Sequence, residues 1–592
     1  MFKKLVLNTL ILFLFTGVVS AQSVTGLNAI FKNGQTFLTW NSLFNNDITY
    51  YVYRSTSPFI SINDINKNNF VAKVDNESTL NKRLSDLLDK KIFFKIDDIG
   101  NPLDETKCLY VQTATNNVAY YYAIIAFNDN KIIPAISPGN NTTINPVFEK
   151  IEPVSAIYQM SIDTFGYRQD IYTHWVSKFE NELYPAMTST YYFAYNFSVI
   201  KKSTKKNIPL IVCLHAREGN FLTNDKGTKI PDEIILSPDD FLPNDIQHSY
   251  WYGYHQNFNF FNPTDIPKDG IVVDYTVKRT KWTIDWVIKM FDTDTNRIYL
   301  TGGSMGGGGS VLLGLSFPEK IAAVYSVVPK LDYSFITEYN PDSYYNNNKP
   351  RRKIISQLWG ALERNLMTND SIPVYSRLNA GYIASIKENI DLPYIHIIAG
   401  KNDNVVGWAE KIGVIKKFND SRHPFYIFWD SRAHSSNNTK EFQPEDRVEK
   451  IYKFALNKSY PAFSNCTANG NPGDGNSDNG DSFGTINGFL DWDDNITDDE
   501  GYYEIFLNSH TLNSTHGIIR NPDSIYTDIT LRRLQKFVVS KKYSYYYQNV
   551  ETKGHVLQDG YLDADNFNLL TLRRFLITSN GNKLVIVRFD KE

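Results

Sequence analysis

The sequence predicts a multidomain chain in which a central, doubly wound α/β sheet is flanked by N- and C-terminal all-β, sandwich-like modules. Three observations lead there. Apolar strand-like runs alternate with helical patterns between about residues 151 and 460. Short runs rich in Tyr, Thr and Ile, divided by Asn, Gly and Ser clusters, fill the stretches on either side. Residues 464–482 are Asn, Gly, Asp and Ser with hardly an apolar side chain, which reads as a linker. The chain has 592 residues, 42% hydrophobic and 21% charged, enough for several domains with sizeable cores. A net charge of -3 gives no electrostatic case for nucleic acid or an anionic membrane.

In chain order, Met1–Lys4 is basic, Leu5–Val19 is apolar, and Val19-Ser-Ala21 ends in small residues. This is the pattern of a secretory signal peptide covering 1–21, cut before Gln22. The apolar stretch is too short to prefer a membrane span. The expected location is therefore secreted, periplasmic or cell-surface in a bacterium. Three cysteines (Cys108, Cys213, Cys466) fall in three different segments, so an exported chain here does not rest on a disulfide framework. Residues 22–150 carry the strand-like runs Thr36–Trp40, Tyr50–Arg54 and Tyr120–Phe127. An early Trp, then a Tyr-x-Tyr strand, then a late Tyr-x-Tyr-x-Ile-x-Ala strand resembles a fibronectin type III domain, with an insertion between about Ser55 and Cys108.

In the central segment, 151–463, Pro209–His215 is a continuous apolar run, as in a strand buried on both faces. Ile271–Tyr275, Ile298–Thr301, Ala322–Val328, Tyr394–Ala399 and Phe425–Trp429 read as further strands, and Thr283–Phe291 as a helix. In the linker, Asp474-x-Asn476-x-Asp478 alternates like a calcium loop, but Asn479 and Thr485 stand where an EF-hand needs Gly and an acid, so that motif fails. Residues 483–592 form the second β module. Its Thr-Leu-Arg-Arg recurs at Thr530–Arg533 and Thr571–Arg574, two copies being too few for a solenoid.

The chemistry centres on Gly302-Gly-Ser-Met-Gly306, placed between the strand Ile298–Thr301 and the apolar helix pattern Ser310–Phe317. Strand, G-x-S-x-G, helix is the setting of a nucleophile elbow. A serine on so tight a turn takes strained backbone angles, and its neighbours two before and two after come too close for a Cβ. A phosphate loop would want a Lys after the glycines, and none is present. Ser304 needs a base, and the base needs an orienting acid. Three histidines lie between Ser304 and the linker. His396 is inside a strand, His423 begins one, and His434 follows Trp429 in the loop at the C-terminal edge of the sheet. His434 is thus the candidate base. Asp403 follows its strand in Gly400-Lys-Asn-Asp403 and is the candidate acid, with Asp430 in reserve. Met305, and Ala216 or Arg217 in the loop after Pro209–His215, are the candidate oxyanion donors. His215 is read as a loop-shaping residue. Trp408, just after the acid, and Trp251, in the aromatic stretch Trp251–Phe261, are the candidate substrate-binding rings, with Trp359 in a helical insertion at 351–390.

Residues of about 190–455 resemble the α/β-hydrolase superfamily. Asp294-x-Asn-Arg-Ile-Tyr-Leu-Thr-Gly-Gly-Ser304-Met-Gly-Gly looks most like its polyhydroxybutyrate depolymerase and feruloyl/acetylxylan esterase group. The resemblance implies a secreted serine esterase that cleaves acyl groups from polysaccharide or a related polymer. It implies no metal and no organic cofactor, and β modules that contact glycan or a cell surface. The prolyl oligopeptidase (S9) catalytic domain shares a similar elbow, but those peptidases carry a large propeller whose period the first 150 residues lack. A non-catalytic, binding-only scaffold is the third reading, and the presence of Ser, Asp and His together speaks against it. The usual His-Gly of the oxyanion loop is His215-Ala216 here, which leaves the second donor open.

Overall fold

The computed structural model describes residues 23–591 apart from 44–47, 129–130, 133–135, 165, 189–191, 223–231, 244–245, 261, 336–349, 435–447, 515–516 and 520. The expected signal peptide lies outside the described residues. The chain divides into two compact units, one made of residues 1–94 and 102–152, the other of 95–101 and 153–592.

The first unit is built on two antiparallel sheets. Strands β1 (Asn28–Lys32), β2 (Gln35–Asn41) and β5 (Lys107–Thr113) pair in the order β1-β2-β5. Strands β3 (Ile48–Ser55), β4 (Phe70–Asp75), β6 (Ala119–Asn128) and β7 (Lys131–Ile132) pair as β4-β3-β6-β7, with β8 (Val147–Phe148) on β6. Trp40, Tyr50 and Tyr122 are buried, and the insertion after β4 carries helix α1 (Lys82–Leu88).

The second unit holds a ten-stranded sheet. Its strands are β9 (Ile157–Thr164), β10 (Tyr167–Val176), β11 (Phe193–Lys201), β12 (Ile208–Leu214), β13 (Ile234–Pro238), β14 (Thr293–Gly303), β15 (Ala323–Val327), β16 (Tyr394–Gly400), β17 (Phe425–Asp430) and β18 (Gly484–Ile486). They lie in the order β18-β17-β16-β15-β14-β12-β13-β11-β10-β9. From β13 to β17 all neighbours are parallel, which the continuous Ile/Val/Leu runs require; β9–β11 and β18 add antiparallel borders. Ile271–Val273 does not join this sheet as expected. It pairs with Tyr254–His255 and Met367–Thr368 in a small sheet of its own.

Helices α2 (Tyr275–Phe291), α3 (Met305–Ser316), α4 (Pro350–Trp359), α5 (Val374–Arg377), α6 (Ala380–Ile386) and α7 (Ala409–Asp420) alternate with the strands. Their apolar side chains, among the described residues, pack into one core with Leu210, Val212, Leu300, Val324, Ile397 and Ile427 of the sheet. A doubly wound sheet would place helices on both faces. The side chains of opposite parity, Ile211, Tyr299, Tyr325, Ile398 and Phe428, pack instead with Phe454, Tyr460, Phe463 and the C-terminal β segment. The period-2 alternation of strand side chains makes these two faces chemically separate. The helical face and the β-covered face therefore have different owners in the sequence.

The C-terminal segment is correspondingly bound into the second unit. Gly484–Ile486 extends the main sheet, and Tyr460–Ser464, from the stretch read as catalytic, pairs with Ser524–Arg532. The two Thr-Leu-Arg-Arg copies lie on adjacent antiparallel strands, with Thr530 and Thr571 hydroxyls 2.9 Å apart. Arg532 is buried and donates to the carbonyls of Glu388, Ser421 and Arg422, while Arg533 donates to those of Pro318 and Ile321. Asn465–Ser482, read as a linker, lies against the acid and base strands through its carbonyls. Pro472 O accepts from Trp408 Nε1 and Asp481 O from Trp429 Nε1. A stretch without apolar side chains can still be fixed by its backbone acceptors.

Candidate active site

Strand β14 runs straight into α3, and Ser304 stands at the junction with φ 54 and ψ −118. A serine at these angles is strained, and the surroundings must hold it there. The glycines show how. A Cβ on Gly306 would stand 2.0 Å from Leu214 O, and one on Gly302 would stand 2.5 Å from the Gly306 backbone. Gly308 and Gly309 let Lys330 O and the Trp251 ring approach α3 in the same way, at 2.6 and 2.4 Å from a built Cβ. The run of glycines thus sinks the first turn of α3 onto its neighbours. Ser304 N–H donates to Val327 O at 2.8 Å, tying the turn to the adjacent strand.

The structure brings the three predicted residues into one chain of hydrogen bonds. Ser304 Oγ lies 2.7 Å from His434 Nε2, and His434 Nδ1 lies 2.8 Å from Asp403 Oδ2. Asp403 is buried; burial opposes its charge, but the His434 hydrogen bond and charge, Lys411 and the Val406 N–H outweigh it and hold the carboxyl below its usual range. An anionic carboxylate only accepts, so Nδ1 carries the ring proton and Nε2 offers its lone pair to the serine O–H. The other oxygen of Asp403 accepts from Val405 and Val406 N–H, both at 2.9 Å, which fixes the carboxylate plane.

The loops that carry Asp403 and His434 are stitched together. Lys401 N–H donates to Asp430 O at 2.8 Å, Asn402 N–H to Arg432 O at 3.1 Å, and Asn402 Nδ2 to Ser431 O at 2.8 Å. Asp430, the reserve acid, is not free for His434. It takes a two-pronged grip from Arg432 Nε and Nη2, plus the Arg432 N–H at 3.0 Å. The sequence reading missed Arg432; an Arg two residues after the strand's last Asp and two before the histidine was the available signal.

Met305 opens α3, so its N–H has no acceptor within the helix. The backbone of Leu214 and His215 lies against Gly306, which brings the Ala216–Arg217 loop beside the same turn. That loop is braced from below. His215 Nδ1 donates to Ala216 O, its Nε2 accepts from Asp240 N–H, and Glu218 N–H donates to His248 Nε2. The Asp240 carboxylate gathers Ser249 N–H, Ser249 O–H and Trp251 N–H. His215 shapes the loop, as read; Asp240 and His248 were not anticipated.

The structure overturns the substrate-binding assignments. Trp251, Trp359 and Trp408 are 0%, 0% and 2% exposed, so none presents a ring face to a ligand. Trp251 donates Nε1–H to His215 O, Trp359 to Gly253 O and Trp408 to Pro472 O. A buried indole needs such an acceptor, and these three brace the loop after β12, the insertion and the loop after β16. No cluster of three or more metal-ligating side chains occurs among the described residues. Nor, among them, is any helix long and apolar enough to cross a membrane.

No protein-family model and no curated protein matches the chain. Among solved structures, it is similar to an S-formylglutathione hydrolase from Agrobacterium tumefaciens, at 15% identity and a TM-score of 0.32, over 47% of this chain and 92% of that one. It is likewise similar to a fluorophosphonate-binding serine hydrolase from Staphylococcus aureus, at 15% identity and a TM-score of 0.29, over 45% and 92% of the two chains. A thermostable esterase from Pseudomonas putida aligns at 13% identity and a TM-score of 0.31, over 46% and 76%.

Proposed function

We propose that this chain is an exported serine hydrolase that cleaves carboxylic esters through an acyl-enzyme on Ser304. The observation that carries it is the Ser304–His434–Asp403 hydrogen-bond chain ending on a strained serine at the start of a helix. Ser304 Oγ attacks the ester carbonyl carbon while His434 Nε2 takes its proton. The oxyanion is held by Met305 N–H and by one donor from Ala216 or Arg217. On collapse, the C–O bond to the alcohol breaks and His434 returns the proton to the leaving oxygen. Water, deprotonated by His434, then attacks the acyl carbon and releases the acid and Ser304. Asp403 stays ionised throughout, keeping Nε2 toward the serine and stabilising the imidazolium.

We further read the substrate as an acylated polysaccharide or related polymer, and residues 1–21 as an export signal. The first unit's strand order, β1-β2-β5 against β4-β3-β6-β7, supports a fibronectin type III-like sandwich with a glycan- or surface-contacting role. The test is hydrolysis of short-chain and of acetylated or feruloylated oligosaccharide esters by the wild type and Ser304→Ala. Activity confined to the wild type supports the reading, and equal activity in both overturns it. Cleavage of proline-containing peptides in preference to esters would instead favour the peptidase reading.

A further inference from the structure

Ala216–Gly219 is a four-residue turn, closed by Gly219 N–H donating to Ala216 O at 3.0 Å. Its third residue is Glu218, with φ 67. Glycine usually fills that position, and a residue with a side chain is strained there. Glu218 is exposed, so packing of its side chain does not hold the angle. The backbone does. Glu218 N–H belongs to the central peptide of the turn and donates to His248 Nε2 at 3.2 Å. Reversing that peptide would bring Glu218 to negative φ and relieve the strain. It would also withdraw the N–H and set the Arg217 carbonyl against the Nε2 lone pair.

The imidazole is itself fixed. His248 is 3% exposed, and its Nδ1 donates to Asp240 O at 2.6 Å, which leaves the lone pair on Nε2. Burial, helped by His215, holds the ring below its ordinary 6.5 although the Asp240 and Asp239 carboxylates oppose this. The segment that carries it is tightly wound: Gln247, Tyr250 and Trp251 have φ 66, 53 and 64. Leu242 N–H on Gln247 O, at 2.7 Å, and the Asp240 carboxylate, which accepts from Ser249 and Trp251 N–H, hold this coil. Such strain persists only where the surroundings over-determine it. Here it converges on one hydrogen bond to the turn beside Ser304.

We propose that His248 is a positioning residue, whose Nε2 holds the Ala216–Gly219 turn in the form that offers its N–H donors to the oxyanion. The inference rests on the hydrolase reading. Glu218 N–H is committed to His248, which leaves Ala216 and Arg217 as the donors.

Ester-hydrolysis kinetics of the full chain test it in the wild type, His248→Leu, His248→Gln, and His248→Leu combined with Glu218→Gly. In His248→Leu, which keeps the bulk and loses the acceptor, kcat is expected to fall about 10- to 100-fold with KM little changed. His248→Gln puts an amide oxygen within reach of the same N–H and is expected to stay within about threefold of the wild type. Glycine at 218 adopts positive φ without strain, so Glu218→Gly is expected to restore kcat in His248→Leu by about fivefold or more. Lost packing around residue 248 would not be restored by a change at an exposed neighbour. Should His248→Leu lose its thermal transition, Glu218→Pro removes the same N–H, forces negative φ and is expected to lower kcat as far. Wild-type kcat in the variant so read, or a loss that neither His248→Gln nor Glu218→Gly reverses, overturns this inference alone. A wild type that turns over no ester overturns the hydrolase reading and this inference with it.

Discussion

Arg432 grips Asp430 through Nε and Nη2, at 2.7 and 2.8 Å, with both side chains buried. The pair sits between the end of β17 and His434, and the carbonyl of Arg432 also anchors the acid loop through Asn402. One arginine thereby ties the loop of Asp403 to the loop of His434.

Arg432→Lys keeps the charge and loses the fork, which a point-charge ammonium cannot reproduce. We expect kcat to fall about 10- to 100-fold with KM little changed, since small misplacements of a catalytic group cost that much. Arg432→Ala strands a buried carboxylate and costs about 3–5 kcal/mol of stability. Wild-type kcat in Arg432→Lys would remove Arg432 from the positioning role.

The glycines of the elbow give a paired prediction. Gly306→Ala drives a methyl into Leu214 O and should cost about 3 kcal/mol or more, seen as loss of soluble protein or of a thermal transition. Gly303→Ala meets nothing within 4 Å and should leave the transition where it is. Equal effects of the two would contradict the close-packed turn.

The pattern of success and failure in the sequence has a physical origin. The Gly302–Gly306 turn, the Gly400–Asp403 turn and the loop before His434 are local patterns whose sterics and strand positions can be read from a few neighbours. Trp251 and Trp408 could not be placed that way, because whether an indole lies on a pocket or beneath a loop depends on groups far away, here His215 O and Pro472 O. The parallel strands β12 and β14–β17 announced themselves by apolar runs. Strands β9–β11 are more polar borders, and β18 is three residues long, so neither stood out. The cover on the second sheet face was illegible for the same reason: Arg532 and Arg533 look like surface charges until the carbonyls they cap are known.

That cover has a consequence for truncation. A chain ending before Phe483 loses β18, the Phe483 ring against Phe428 and the C-terminal strands that share the core of this sheet face, exposing apolar surface. It should be insoluble or molten. Arg532→Ala in the full chain leaves buried carbonyls unpaired and should lower stability by about 2–4 kcal/mol. A truncated chain with wild-type activity would show the C-terminal segment to be an independent accessory.

Acid should weaken the second unit well before its carboxylates titrate. Burial, then Arg532, pushes His423 well below 6.5, and burial, then Arg279, does so for His174. Below about pH 6.5 the unfolded chain takes up protons that the folded one refuses, so stability falls as pH falls, by up to about 1.4 kcal/mol per unit for each histidine. Asp403, held below its usual range, acts in the same direction at lower pH: its contribution is present above about pH 4 and is lost as pH drops through the folded value. Urea unfolding at a series of pH values between about 5 and 8 measures the slope, and a flat profile would contradict neutral, buried histidines.

We propose above that Ser304 is a nucleophile activated by His434. Intact-mass and peptide mapping after treatment with a fluorophosphonate tests it directly. A single adduct on Ser304 is expected, absent in Ser304→Ala and slowed by orders of magnitude in His434→Ala. An unlabelled chain, or labelling at the same rate without His434, would contradict it.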